Sequence, residues 1–201
     1  MCIRDSYQGG QVGKALLGAV MPQTIPDGWG RVIIADPTFP ALALYYRWGV
    51  YPLGMAWRAR VTLPMPGIEH EGHENPRTSR NDADDGEAGG MLRHFMQRAL
   101  GAQVRFSAAG GYSVRYADML GPVIGATSAD ALALVMASLA DAQKEGHRAI
   151  HLWVPGANIA LLRWLRERQP RWDAQVALLA SDPALVAHLD RALLVAPPYL
   201  W

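Results

Sequence analysis

The residues with the clearest chemical potential stand near the start of the chain. Gln8-Gly9-Gly10-Gln11-Val12-Gly13-Lys14 runs directly into an apolar stretch containing Ala15, Leu16, Leu17, Ala19, Val20 and Met21. Glycines allow successive backbone N–H groups to converge and allow a ligand to approach the chain closely. A helix beginning at such a turn adds partial positive charge at its first residues. The combination suits a pyrophosphate. A nucleotide-hydrolysing phosphate loop needs Ser or Thr after its lysine, and Ala15 follows Lys14, so that chemistry is disfavoured. A dinucleotide site needs a strand before the turn, and none reads there. Taken alone, the glycines fit a surface turn equally well.

The elements around this turn follow from hydrophobic pattern and punctuation. Pro22 and Pro26 end the first helix. Arg31 to Ala35 is a short, β-branched strand. Phe39 to Trp48 is a helix, capped by Asp36 or Thr38 and stopped by Gly49. Tyr51 to Leu63 reads as one or two strands. Pro64 to Gly90 then changes character, with seven acidic residues and almost no apolar ones. It cannot bury enough surface to offset the entropy of ordering, so a flexible linker is expected. Beyond it come a short amphipathic helix (Met91 to Leu100) and a hairpin (Gln103 to Ser107, Gly111 to Tyr116). A strand (Gly121 to Gly125), a helix (Ser128 to Lys144), a strand (Ala149 to Val154), a helix (Asn158 to Arg168) and a strand (Ala174 to Ala180) complete the list.

Both halves run helix, strand, helix, strand, and a shift of 118 residues aligns them without a gap. Ala15 meets Ala133, Leu16 meets Leu134, Ala19 meets Ala137, Pro37 meets Pro155 and Leu44 meets Leu162. The alignment also exposes a difference at the front. Leu120 to Ile124 feeds the second copy's first helix, whereas its counterpart, Cys2 to Ser6, does not read as a buried strand. The first copy is therefore expected to lack its leading strands. The expected fold class is α/β (α+β), a mixed sheet flanked by helices in two pseudo-repeated halves. The expected division is 7–63, a linker 64–90, and 91–201.

On these motifs the chain resembles the GNAT N-acyltransferases, in a tandem and N-terminally truncated form. That family carries a Gln/Arg-x-x-Gly-x-Gly/Ala turn at a helix start, where the pyrophosphate of acyl-CoA binds. A strand follows, and then a helix ending in a pattern like Ala-x-x-Leu-Tyr-x-x-x-Gly-Phe. Here Gln8-x-x-Gln11-x-Gly13 is followed by Arg31 to Ala35 and by Ala41-Leu42-Ala43-Leu44-Tyr45-Tyr46-Arg47-Trp48-Gly49-Val50. The resemblance implies that Gln8, Gly9, Gly10, Gln11, Val12, Gly13 and Lys14 bind acetyl-CoA or another acyl-CoA. It implies that Tyr45 protonates the departing thiolate. Gln11 stands in place of the family's middle glycine, and Val50 in place of its usual aromatic residue. Tyr45 also fits a plain packing role in an amphipathic helix, and Tyr46 competes for the acid role. In the second copy Ser128, Ala129, Ala131 and Arg163 replace Gly10, Gln11, Gly13 and Tyr45, so no equivalent acyl-CoA site is expected there. The resemblance covers Tyr7 to about Leu63 well and 91–201 loosely.

Bulk properties narrow the alternatives. The net charge of +1 leaves no electrostatic footprint for nucleic acid. No apolar run is long enough for a bilayer, and Cys2 is the sole cysteine, so no internal disulfide forms. A soluble, cytoplasmic protein without a metal is expected. Glu69-His70-Glu71-Gly72-His73-Glu74 offers metal-ligand types but no rigid element to fix their geometry. His94, His147, His151 and His188 show no triad spacing. The reading is an acyltransferase acting on an amine of unspecified identity. Its rivals are a non-catalytic acyl-CoA-binding or protein-interaction module, and an inactive fragment of a larger enzyme.

Overall fold

Strands with β-branched or alternating apolar residues hold only when paired, since their backbone groups need partners, and here they form one mixed sheet. The computed structural model describes residues 15, 18–19, 31–35, 37, 39–66, 68, 101–186 and 188–193. In chain order the elements are β1 (Val32–Ala35), α1 (Phe39–Tyr46), β2 (Tyr51–Thr62), β3 (Gln103–Phe106), β4 (Tyr112–Tyr116) and β5 (Met119–Ile124). They continue with α2 (Ser128–Lys144), β6 (Ala149–Pro155), α3 (Ile159–Glu167), β7 (Arg171–Ala180) and the short β8 (Ala192–Leu193). The strands lie in the order β1-β7-β2-β6-β5-β4-β3, with β8 on β5. Among the described residues only β5 and β6 pair in parallel.

The centre of this sheet is interleaved. β7 lies between β1 and β2, and β2 lies between β7 and β6. In the β2–β7 pair Trp57 stands opposite Gln175, the residue 118 positions further on. To one side Val32 faces Ala180 and Ile33 faces Leu179. To the other, Ile150 faces Val61 and His151 faces Arg60. Gly156, after β6, sits under the Trp57 ring: a Cβ there would lie 2.8 Å from Trp57 Cζ3.

Three apolar clusters pack on the sheet among the described residues, one of them Ala102, Tyr112 and Val114 near β3 and β4; the other two cover its centre. The larger joins Ala59 and Val61 of β2, Leu120 and Val123 of β5, and Ile150, Leu152 and Val154 of β6. It covers them with Leu134, Val135 and Leu139 of α2 and Leu161 and Leu165 of α3. The smaller joins Ala35, Val50, Ala177 and Leu179, with Leu42 and Tyr45 of α1 against them. Thr127 caps α2 by accepting from the Asp130 N–H, and Asn158 caps α3 by accepting from the Leu161 N–H at 3.1 Å. α1 ends where Gly49 adopts a φ of +70°, with the Trp48 N–H donating to the Tyr45 carbonyl at 2.9 Å. Among the described residues no helix is long and apolar enough to cross a membrane.

Of the one or two strands read over Tyr51 to Leu63, the structure has one, Tyr51–Thr62. It differs from expectation at two points. β5 starts two residues earlier than the pattern suggested, and β7 three residues earlier. The segment read as a flexible linker begins packed: Met65 and Ile68 are buried in the larger cluster, and the Met65 N–H donates to Gln143 Oε1 at 3.0 Å. The acidic average of that segment hides these two apolar residues. The expected caps Asp36 and Thr38, and the helix Met91 to Leu100, lie outside the described residues.

Because the central strands alternate between the front and the back of the chain, they should unfold together. Leu152→Ala and Leu179→Ala each empty a fully buried site and should each cost about 2–5 kcal/mol. Urea unfolding followed by tryptophan fluorescence and by far-ultraviolet circular dichroism should show one coincident transition in both variants. Two separated transitions, each moved by only one substitution, would show that the clusters are independent.

Candidate functional site

The glycine turn Gln8 to Lys14 lies outside the described residues. The helix it leads into is described at Ala15, Gly18 and Ala19. A Cβ placed on Gly18 would be 3.9 Å from Trp48 Cζ2, so this helix passes in van der Waals reach of the end of α1. Trp48 follows Tyr45 by less than one helical turn.

Tyr45 is half-buried against Ala35, Val50, Ala177 and Leu179. Burial raises its phenol above the ordinary value of 10.0, because the charged phenolate is poorly solvated there. The hydroxyl therefore keeps its proton at neutral pH. Tyr46 points the other way: it is 61% exposed and meets the Tyr51 ring edge-to-face at 5.3 Å. The two neighbouring tyrosines, which the sequence left in competition, thus occupy different environments.

The second half gives its turn to internal bonds. The Ala126 N–H donates to Asp130 Oδ2 at 2.8 Å, the Asp130 N–H to Thr127 Oγ1 at 3.1 Å, and the Ala131 N–H to the Thr127 carbonyl at 2.9 Å. Ser107 Oγ also donates to Asp130 Oδ2, at 3.0 Å. A carboxylate stands where the backbone would otherwise offer donors to an anion. Arg163, which the 118-residue shift sets against Tyr45, is exposed on α3.

The chain was compared with known proteins. No protein-family profile matches it, and no curated protein sequence matches it. Among solved structures it is similar to the crystal structure of a putative acetyltransferase from Pyrococcus horikoshii, with a TM-score of 0.69. The match covers 96% of this chain and 67% of that one at 16% identity. The chain has an acetyltransferase-like fold. The mixed sheet with flanking helices that the sequence suggested is the fold observed.

Two polar groups were not singled out from the sequence. On β6, His151 and Trp153 point to the same face. The Arg58 guanidinium lies 5.7 Å from the Trp153 ring centroid and its Nε donates to Asp173 Oδ1 at 2.6 Å. That bond, rather than charge alone, is the main cause that holds the Asp173 carboxyl below its usual range. His151 Nδ1 and Trp153 Nε1 are buried without a hydrogen-bond partner among the described residues. At the far end of the sheet the buried Arg115 donates to Glu145 Oε2 at 2.6 Å and to Gln103, and sits 3.1 Å from His147 Nε2. Its bonds tie β4 to β3 and to the end of α2, which is a structural task. Neither group has a sequence signal, because the strands and helix end that assemble each lie far apart in the chain.

The Tyr45 environment has a pH signature. The folded chain holds this phenolic proton more tightly than the unfolded chain, so the unfolded state releases it first as pH rises. Stability should decline as pH climbs through about 10 and above, and Tyr45→Phe should lessen that decline, read by urea midpoints between pH 8 and 11. An unchanged alkaline slope in Tyr45→Phe would mean that the ring is not buried as described.

Proposed function

We propose that this protein is an acyl-CoA-dependent N-acyltransferase built from two pseudo-repeated halves, 7–63 and 91–201, of which only the first binds acyl-CoA. The observation that carries the reading is the approach of Gly18 to Trp48. It sets Gly18 beside Trp48, just past the end of α1 that holds Tyr45, and this supports reading the preceding glycine turn as part of the same site. The acetyltransferase-like fold agrees with it. The register of β2 against β7, where Trp57 faces its own counterpart Gln175, supports a duplication.

In this reading Gln8, Gly9, Gly10, Gln11, Val12, Gly13 and Lys14 hold the pyrophosphate of acetyl-CoA or a longer acyl-CoA with backbone N–H groups and a helix N-terminus. The amine nitrogen of the acceptor attacks the thioester carbonyl, a carbon–nitrogen bond forms, and the carbon–sulfur bond breaks. The Tyr45 hydroxyl gives its proton to the departing sulfur, and the new ammonium loses a proton to water. No covalent enzyme intermediate and no metal is involved. Half-burial suits Tyr45 to this role, since it keeps the phenol protonated until a thiolate develops. The acceptor is a small molecule or protein bearing an amine, and the setting is the cytoplasm.

Tyr45→Phe should lower kcat for acetyl transfer to a responsive amine by roughly 10²–10⁴-fold with little change in acetyl-CoA affinity. Tyr46→Phe should be near neutral. Gly13→Glu should abolish acetyl-CoA binding by calorimetry, whereas Ala129→Glu, on the exposed start of α2, should leave it intact. Binding that survives Gly13→Glu refutes the turn assignment. Binding without turnover in any variant points to the non-catalytic module.

A further inference from the structure

The register of the sheet lays one line of side chains across five strands. Tyr116 on β4 faces Met119 on β5, and Met119 faces His151 on β6. His151 faces Arg60 on β2, and Arg60 faces Arg171 on β7. Directly paired residues share a face of the sheet, and sequence neighbours take the other face. The neighbours here are Ile150 and Leu152 beside His151, and Ala59 and Val61 beside Arg60. All four are buried in the larger cluster with α2 and α3. The line therefore crosses the opposite face, where Tyr116, Arg60 and Arg171 are exposed.

The β7 end of this line is cationic. Like charges directly opposite each other on paired strands are destabilising, yet Arg60 and Arg171 form such a pair. The carboxylates around them are engaged elsewhere. Asp173, at the register shift between β2 and β7, accepts from Arg58 Nε at 2.6 Å. That bond dominates its environment, and His151 and Arg171 act on it only through charge. Asp118 Oδ2 lies 3.7 Å from His151 Nε2. Among the described residues neither Arg60 nor Arg171 is in ion-pair contact with a carboxylate. The two buried nitrogens without partners among the described residues, His151 Nδ1 and Trp153 Nε1, belong to the residues opposite Arg60 and Arg58. Buried polar atoms in that state are rare.

We infer that the Arg60–Arg171 pair is a binding site for a small phosphate monoester whose organic part lies along the line toward Met119 and Tyr116. A single planar guanidinium fork is enough to occupy a carboxylate. Two forks side by side match a group with three terminal oxygens, because each fork can take its own edge of the anion. The anion also offsets the repulsion between the two guanidiniums. Neighbouring strands are about 4.8 Å apart, so the organic part has about 10 Å to cross from Arg60 to Met119. The thioether of Met119 and the ring of Tyr116 offer an adaptable apolar surface there. The site stands apart from Tyr45. Arg60 follows Tyr51 by nine residues on β2, and the Tyr51 ring meets Tyr46 at the end of α1. At about 3.3 Å per residue that separation is roughly 30 Å.

Calorimetry on the full chain with inorganic phosphate and with phenyl phosphate reads this site. Phenyl phosphate should bind about twofold to tenfold more tightly than phosphate, the usual worth of an aromatic contact. Arg60→Gln and Arg171→Gln should each weaken both ligands by about tenfold to a hundredfold. Tyr116→Ala should remove only the advantage of the phenyl group. Gly13→Glu should leave both affinities as they are, which separates this site from the glycine turn. With no ligand present, Arg60→Gln should keep or raise the urea midpoint, since it relieves a like-charge contact. Absence of binding overturns the inference, and so does binding that survives Arg60→Gln but is lost in Gly13→Glu. A lowered urea midpoint in ligand-free Arg60→Gln would make the pair structural and overturns it as well. Equal affinity for the two ligands overturns the placement of the organic part. None of these outcomes depends on the acyl-CoA reading of the first half.

Discussion

The antiparallel pairing of β2 with β7 is the interaction on which the rest of the sheet depends. β2 is the longest strand, and β7 is the next. Each exposes two rows of backbone donors and acceptors, and each row is met by a different partner. Removing β7 would leave β1 without its described neighbour and β2 with one free edge. Buried backbone groups without partners are expensive. The front of the chain therefore cannot settle into its sheet until the back has supplied a strand, and the reverse holds for β6. The Arg58–Asp173 bond crosses this same pair, at a point where β7 carries a register shift.

The head of α2 shows how a helix start becomes unavailable to an outside ligand. The first N–H groups of any helix need acceptors. Thr127 and Asp130 supply them from within, and the carboxylate complements the helix dipole. The same arrangement sets a negative charge where an anion would otherwise dock.

What was legible in the sequence was local. The bounds of α2 could be read because Thr127 caps it and its apolar residues repeat with the helical period. The stop of α1 at Gly49 could be read because a left-handed residue was needed there. The order of the central strands could not be read, since it is fixed by pairing between residues as distant as Val32 and Ala180 or Thr62 and Ala149. Nor could β8, a two-residue strand with no periodicity to detect. Met65 and Ile68 were lost in an acidic average. Which of Tyr45 and Tyr46 packs on the sheet turned on which face of α1 meets β1 and β7, and neighbouring positions in a helix carry no sequence mark for that. The glycine turn itself was legible only as a motif, and its geometry lies outside the described residues.

The seat of Trp57 over Gly156 has a consequence for how such a chain can evolve. One residue comes from the front of the sequence and the other from the back, yet the ring occupies the space that any side chain at 156 would need. Drift at either position is constrained by the other. A larger residue at 156 becomes tolerable only after the ring at 57 shrinks or turns. Fronts and backs exchanged between diverged relatives would be compatible only where this pair matches. A family descended from such an ancestor should therefore keep a correlated pair at these two positions even after the remainder of the sheet has lost recognisable similarity.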